Sequence, residues 1–100
     1  MIQKTLKIGE KEVTFRSSAS IPRLYRIKFR RDVFKDIDKL KEAYNSKKDL
    51  EIEDLEIFEN IAYAMALHAN PTMKEDIDTW LDGFEMFSIY EILPQIIDMF

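Results

Sequence analysis

The chain has no cysteine, which excludes disulfides and thiolate metal sites and gives no sign of an oxidising compartment. Glycine occurs only twice, at Gly9 and Gly83, too few for a glycine-rich loop that cradles phosphate. Histidine occurs once, at His68, with no H-x-x-x-H pair, thiol or G-x-S-x-G elbow to work with it. His68 therefore reads as a structural group, or as a cation that favours the C-terminal end of a helix. No apolar run approaches the ~20 residues that span a bilayer. The first thirteen residues carry a charge every few positions, unlike a signal peptide. The expected setting is a cytoplasm, and the expected role is non-enzymatic, with no cofactor, no metal and no membrane.

Basic residues are scarce in one half. Residues 1–50 hold 14 Lys/Arg against 7 Asp/Glu, a net +7, whereas residues 51–100 hold 12 Asp/Glu and the single cation Lys74, a net −11. Three readings fit this asymmetry: a basic face for nucleic acid, attraction between the two halves, or copies stacked head to tail. The last two are preferred, because charge complementarity steers association. Hydrophobic residues make up 46% of the 100, enough for a compact core, and a single domain over 1–100 is expected.

Period-two alternation of Ile2, Leu6 and Ile8, then of Val13 and Phe15, predicts a β-hairpin over 1–16 that turns at Gly9. The helical part covers 20–100. Ser20 as N-cap and Pro22 in the first turn open a short helix, "PRLYRIKF". Val33, Ile37, Leu40 and Tyr44 share a second face. Extending that face backwards would bury Arg26 and Arg30, which is costly for unpaired guanidinium groups. A break near Arg30–Arg31 is therefore expected, with Asp32 capping the second helix and "NSKKD" as an exposed loop. An acidic first turn near Glu53 or Asp54 opens a third helix, apolar on nearly every side and hence central, that ends at Asn70–Pro71. A short helix over Glu75–Asp82 stops at Gly83, anchored by Trp80, Leu81 and Phe84. Ser88 and Glu91 have the spacing of a capping box for the last helix, and Pro94 should kink or restart it. The fold class is α+β, mostly α-helical, with the hairpin packed on four or five helices.

Two further features concern function. Asp76, Asp78 and Asp82 lack the spacing of a calcium loop and read as a solvated face. The segment "PRLYRIKFRR" interleaves cations with aromatics, and Arg23, Arg26 and Arg30 share a helical face that could follow a phosphate backbone. The alternative for these arginines is pairing with the acidic half or solvation of the helix while Leu24, Ile27 and Phe29 pack. At the other end, Met86, Phe87, Tyr90, Met99 and Phe100 belong to an apolar segment in which Ile89, Ile92 and Leu93 are the expected core. The part after Pro94, ending in Met99 and Phe100, is the expected partner contact.

The order of "SSASIPRLYRIKFRRDVFKDI", "LEIFENIAYAMALHANP" and "DIDTWLDGFEMFSIYEILPQIIDMF" resembles the tail assembly chaperones of long-tailed bacteriophages and prophages of Gram-positive bacteria. Members of that family often carry Gly where this chain has Arg30. The resemblance implies a non-enzymatic chaperone that binds the tape measure protein, recruits tail tube subunits and leaves before the virion is complete. It also implies self-association, and in some copies a frameshifted extension joined near Phe100. Partner-binding residues on this reading are Arg23, Arg26, Arg30, Phe87, Tyr90, Met99 and Phe100. The alternative is a small nucleic-acid-binding regulator using residues 23–31.

Overall fold

The computed structural model describes residues 2–46 and 49–100. The expected loop "NSKKD" lies partly outside them, at Lys47 and Lys48. Strands β1 (Ile2–Ile8) and β2 (Lys11–Ser17) pair antiparallel, with Ile8 opposite Lys11 and Leu6 opposite Val13. Gly9 turns the chain at φ 61°, a left-handed conformation that costs Gly little. On the outer face, the Thr5 and Thr14 hydroxyls lie 2.8 Å apart in a cross-strand hydrogen bond. The inner face delivers Phe15, fully buried, onto the helices.

Five α-helices follow among the described residues: α1 (Ile21–Phe29), α2 (Val33–Asn45), α3 (Ile52–Ala69), α4 (Ile77–Asp82) and α5 (Leu93–Asp98), the last preceded by a 3-10 turn at Ser88–Ile92. The protein is thus α+β and mostly helical, with an N-terminal two-stranded hairpin. Helix α3 is central. It packs against β2, α1, α2 and α4, and Ile57 through Ala66 are buried save Glu59 and Asn60. Ala62, Ala64 and Ala66 leave room for neighbouring elements to approach closely. Trp80 ties three elements together, with ring contacts to Phe15 of β2, Tyr63 of α3 and Phe84 beyond α4. Burying an aromatic or large aliphatic side chain contributes about 1.5–3 kcal/mol, so this cluster carries much of the stability.

The break between α1 and α2 falls at Arg30, which adopts φ 58°, ψ 38° and donates its backbone N–H to the Arg26 carbonyl. Asp32 then caps α2 by accepting from the Phe34 and Lys35 amides. Helix α3 begins at Ile52, slightly before the expected Glu53–Asp54, because the Asp54 carboxylate reaches back to the Glu51 N–H. Helix α4 begins at Ile77 rather than Glu75, because the Asp76 side chain accepts from the Thr79 amide.

Two expectations about the last segment are overturned. Ser88 does not cap a helix: its hydroxyl donates to the Glu85 carbonyl, and the residues after it form a 3-10 turn. Pro94 does restart the helix, as expected: it has no N–H to offer the Tyr90 carbonyl, and α5 begins with Pro94 in its first turn. The restart also changes which side chains point inward. Met99 is 2% exposed and belongs to the core, and Phe100 is half-buried, so neither presents a free contact surface of the expected kind.

Candidate functional site

Helix α1 is only nine residues long and buries Ile21 and Tyr25, one turn apart. The left-handed joint at Arg30 then redirects the chain, so α2 turns Val33, Ile37 and Leu40 inward while Tyr44 stays exposed. Arg23, Arg26, Ile27 and Arg30 are left on one outward stripe at spacings of three, one and three. The arginines are exposed, and Ile27, expected to pack, is 54% exposed. Phe34, on the side of α2 away from its buried face, is 60% exposed. Pro22, Arg26, Arg30, Val33 and Phe34 contribute to a cleft of about 470 Å³ at this corner.

A buried polar network holds the corner together. Asp36 accepts from the Tyr25 hydroxyl at 2.7 Å and from Arg31 Nε and Nη2 at 2.8 and 2.9 Å. Burial pushes the Asp36 carboxyl up, but the hydrogen bonds from Arg31 and Tyr25, with the charges of Arg31 and Lys39, outweigh it and leave the group below the usual carboxylate range. Burial, and then the bond to Asp36, push the Tyr25 hydroxyl well above its ordinary value. Arg31 also lies 3.8 Å from Glu53, and Lys39 pairs with Glu53 at 2.8 Å and reaches Asp54 at 3.6 Å. Asp54 Oδ1 is buried with no hydrogen-bond partner among the described residues, and Lys39 at 3.6 Å supplies charge to it. These pairs are where the basic and acidic halves attract each other. Among the described residues they use Arg31 and Lys39, and no salt bridge engages Arg23, Arg26 or Arg30.

The second surface lies between α4 and α5. Met86 and Phe87 are 77% and 73% exposed, and Glu85 and Glu91 beside them are exposed as well. Tyr90 does not join them. It is half-buried against Phe58 and donates its hydroxyl to Glu59 at 2.6 Å, a bond that pushes its own ionisation up to about 12. The structure therefore leaves Arg23, Arg26, Arg30 and Phe87 accessible, and takes Tyr90, Met99 and Phe100 wholly or partly inside. Sequence reasoning missed Ile27 and Phe34 as surface groups. Their signal was position: Phe34 lies off the stripe formed by Val33, Ile37 and Leu40.

His68 lies 2.7 Å through Nε2 from the Ser18 hydroxyl, joining the end of the hairpin to the end of α3. Burial and the nearby Arg16 charge push its pKa below the ordinary histidine value, so at neutral pH it acts as a neutral hydrogen-bonding partner rather than a cation. Among the described residues, no three metal-ligating side chains converge and no helix is long and apolar enough to cross a membrane. No protein-family model, curated protein or solved structure matches the chain.

Proposed function

We propose that this chain is a phage tail assembly chaperone, a non-enzymatic protein that binds the tape measure protein and recruits tail tube subunits while the tail is built. The observation that carries the reading is the exposure of large apolar groups beside charge: Ile27 beside Arg23 and Lys28, Phe34 in the cleft with Arg26 and Arg30, and Met86 and Phe87 beside Glu85. Large apolar groups left in solvent mark interaction sites, and Met and aromatic side chains re-pack readily against varied partners. A chaperone that later releases its client needs such adaptable contact. The joint between α1 and α2 supports the reading further. Arg30 has the left-handed backbone that Gly adopts most easily, and it stands where the resembled family often has Gly. On this reading the protein works in the bacterial cytoplasm and is absent from the finished virion.

The test is co-expression of the full chain with the tape measure and tail tube proteins encoded beside it, followed by affinity capture. Recovery of the tape measure protein with the chain is expected. Failure to recover either protein at low salt would overturn the reading.

A further inference from the structure

We propose that the α1–α2 corner is a binding site for single-stranded nucleic acid, and that Arg30 keeps a strained backbone because its guanidinium contacts a phosphate there. The inference goes beyond the chaperone reading and does not rest on it.

Arg30, at φ 58°, ψ 38°, is the one non-glycine with positive φ among the described residues. That conformation is unfavourable for an L-residue. The side chain gives nothing back within the molecule: it is exposed and enters no salt bridge among the described residues. Strained residues cluster at ligand clamps and other functional sites. Arg26 lies one turn before Arg30, and Arg23 one turn earlier still. Both are exposed, and neither has a salt bridge among the described residues. Three guanidinium groups thus follow one face of α1 over about 10 Å, at 1.5 Å of rise per residue. Each is a planar fork that matches a phosphate.

A site for phosphate alone has no use for Phe34. Its ring is 60% exposed and shares with Arg26 and Arg30 the cleft of about 470 Å³. A cationic track beside an exposed aromatic is the combination that holds a single strand, with phosphates on the cations and a base on the ring. A duplex keeps its bases stacked on one another and leaves the ring without a partner. The other charged groups lining the cleft are already engaged. The Asp32 carboxylate accepts from the Phe34 and Lys35 amides, and Arg31 is turned onto Asp36 at 2.8 and 2.9 Å. The chain as a whole carries −4, so net charge gives a polyanion no general attraction and binding reports on this corner.

Fluorescence anisotropy of the full-length chain with labelled single-stranded 12-mers, oligo(dT) and oligo(U), tests this. Saturable binding is expected at 50 mM NaCl, weakening about twentyfold by 200 mM, as three phosphate contacts on a single strand require. Arg30→Gly should melt above the wild type and yet bind about three- to tenfold more weakly, with a shallower salt dependence. Stability and binding moving in opposite directions is the signature of strain kept for a ligand. Arg26→Gln, at an exposed helical position with ordinary backbone, should lose affinity to the same extent. Phe34→Ala should weaken binding about fivefold or more and leave the salt dependence unchanged, because stacking is not screened. Absence of saturable binding at 50 mM NaCl, wild-type affinity in Arg30→Gly or Arg26→Gln, or a 12-bp duplex bound as tightly as the single strand would overturn the proposal. Displacement of the oligonucleotide by an equal concentration of an oligoglutamate 12-mer would also overturn it and assign the corner to an acidic protein segment.

Discussion

Replacing Arg30 by Gly should stabilise the protein. Arg30 sits at φ 58°, ψ 38°, in the left-handed region, which costs an L-residue roughly 1–2 kcal/mol and costs Gly almost nothing. Glycine gives part of this back, since the freer unfolded chain costs about 0.4–1 kcal/mol. The Arg30 side chain is exposed and makes no salt bridge among the described residues, so its removal loses little. Its N–H bond to the Arg26 carbonyl at 2.9 Å survives in the variant. The balance is a gain of about 0.5–1 kcal/mol. For a domain of this size that raises Tm by roughly 2–8 °C. Arg30→Val should move the other way, because a β-branched residue tolerates positive φ poorly. Thermal and urea denaturation followed by far-UV circular dichroism measures both. A Tm for Arg30→Gly below that of the wild type, or equal shifts for Gly and Val, would refute the idea that the joint is a strained, capped break between two helices.

Other perturbations probe the corner and the core. Tyr25→Phe removes one buried hydrogen bond to a carboxylate and should cost about 1–2 kcal/mol in urea denaturation. Asp36→Asn weakens both the Arg31 and Tyr25 bonds and should cost about 1–3 kcal/mol, discounted because Arg31 is partly in solvent. The lowered Asp36 pKa means that its contribution is complete above the unfolded carboxylate value near ~4 and is lost as pH falls through the lower folded value. Stability measured against pH should therefore fall less steeply below pH ~4 in Asp36→Asn than in the wild type. His68 titrates lower when folded, so its contribution is present above the unfolded value near ~6.5 and declines as pH falls below it, a slope that His68→Gln should remove. Phe15→Ala should cost about 3–5 kcal/mol and lower the urea midpoint accordingly, because the ring is fully buried against Trp80.

Much of the fold was legible in the sequence because single residues forced the outcome. Gly9 sets the hairpin turn, and the cost of burying Arg26 and Arg30 located the joint between α1 and α2. The all-round apolar stretch after Asn60 identified the central helix. The last segment was not legible. A Ser three residues before a Glu fits a capping box, but the same spacing suits a 3-10 turn, and only the packing of Ser88 against the Glu85 carbonyl distinguishes them. Pro94 restarts the helix, α5 packs on the 3-10 turn and on α2, and Met99 at its C-terminal end is buried. The candidate surfaces were half legible. The cations showed in the sequence, and so did the place of Phe34 off the Val33, Ile37 and Leu40 stripe, but the exposure of Ile27 did not.

The proposed chaperone role requires that copies of this chain bind the tape measure protein during tail assembly. Light scattering of the complex recovered after co-expression with the neighbouring tape measure protein tests it most directly. A salt-sensitive complex with several copies of the chain per tape measure chain is expected. A tape measure protein that elutes alone, or one that carries a single copy at every concentration, would contradict it.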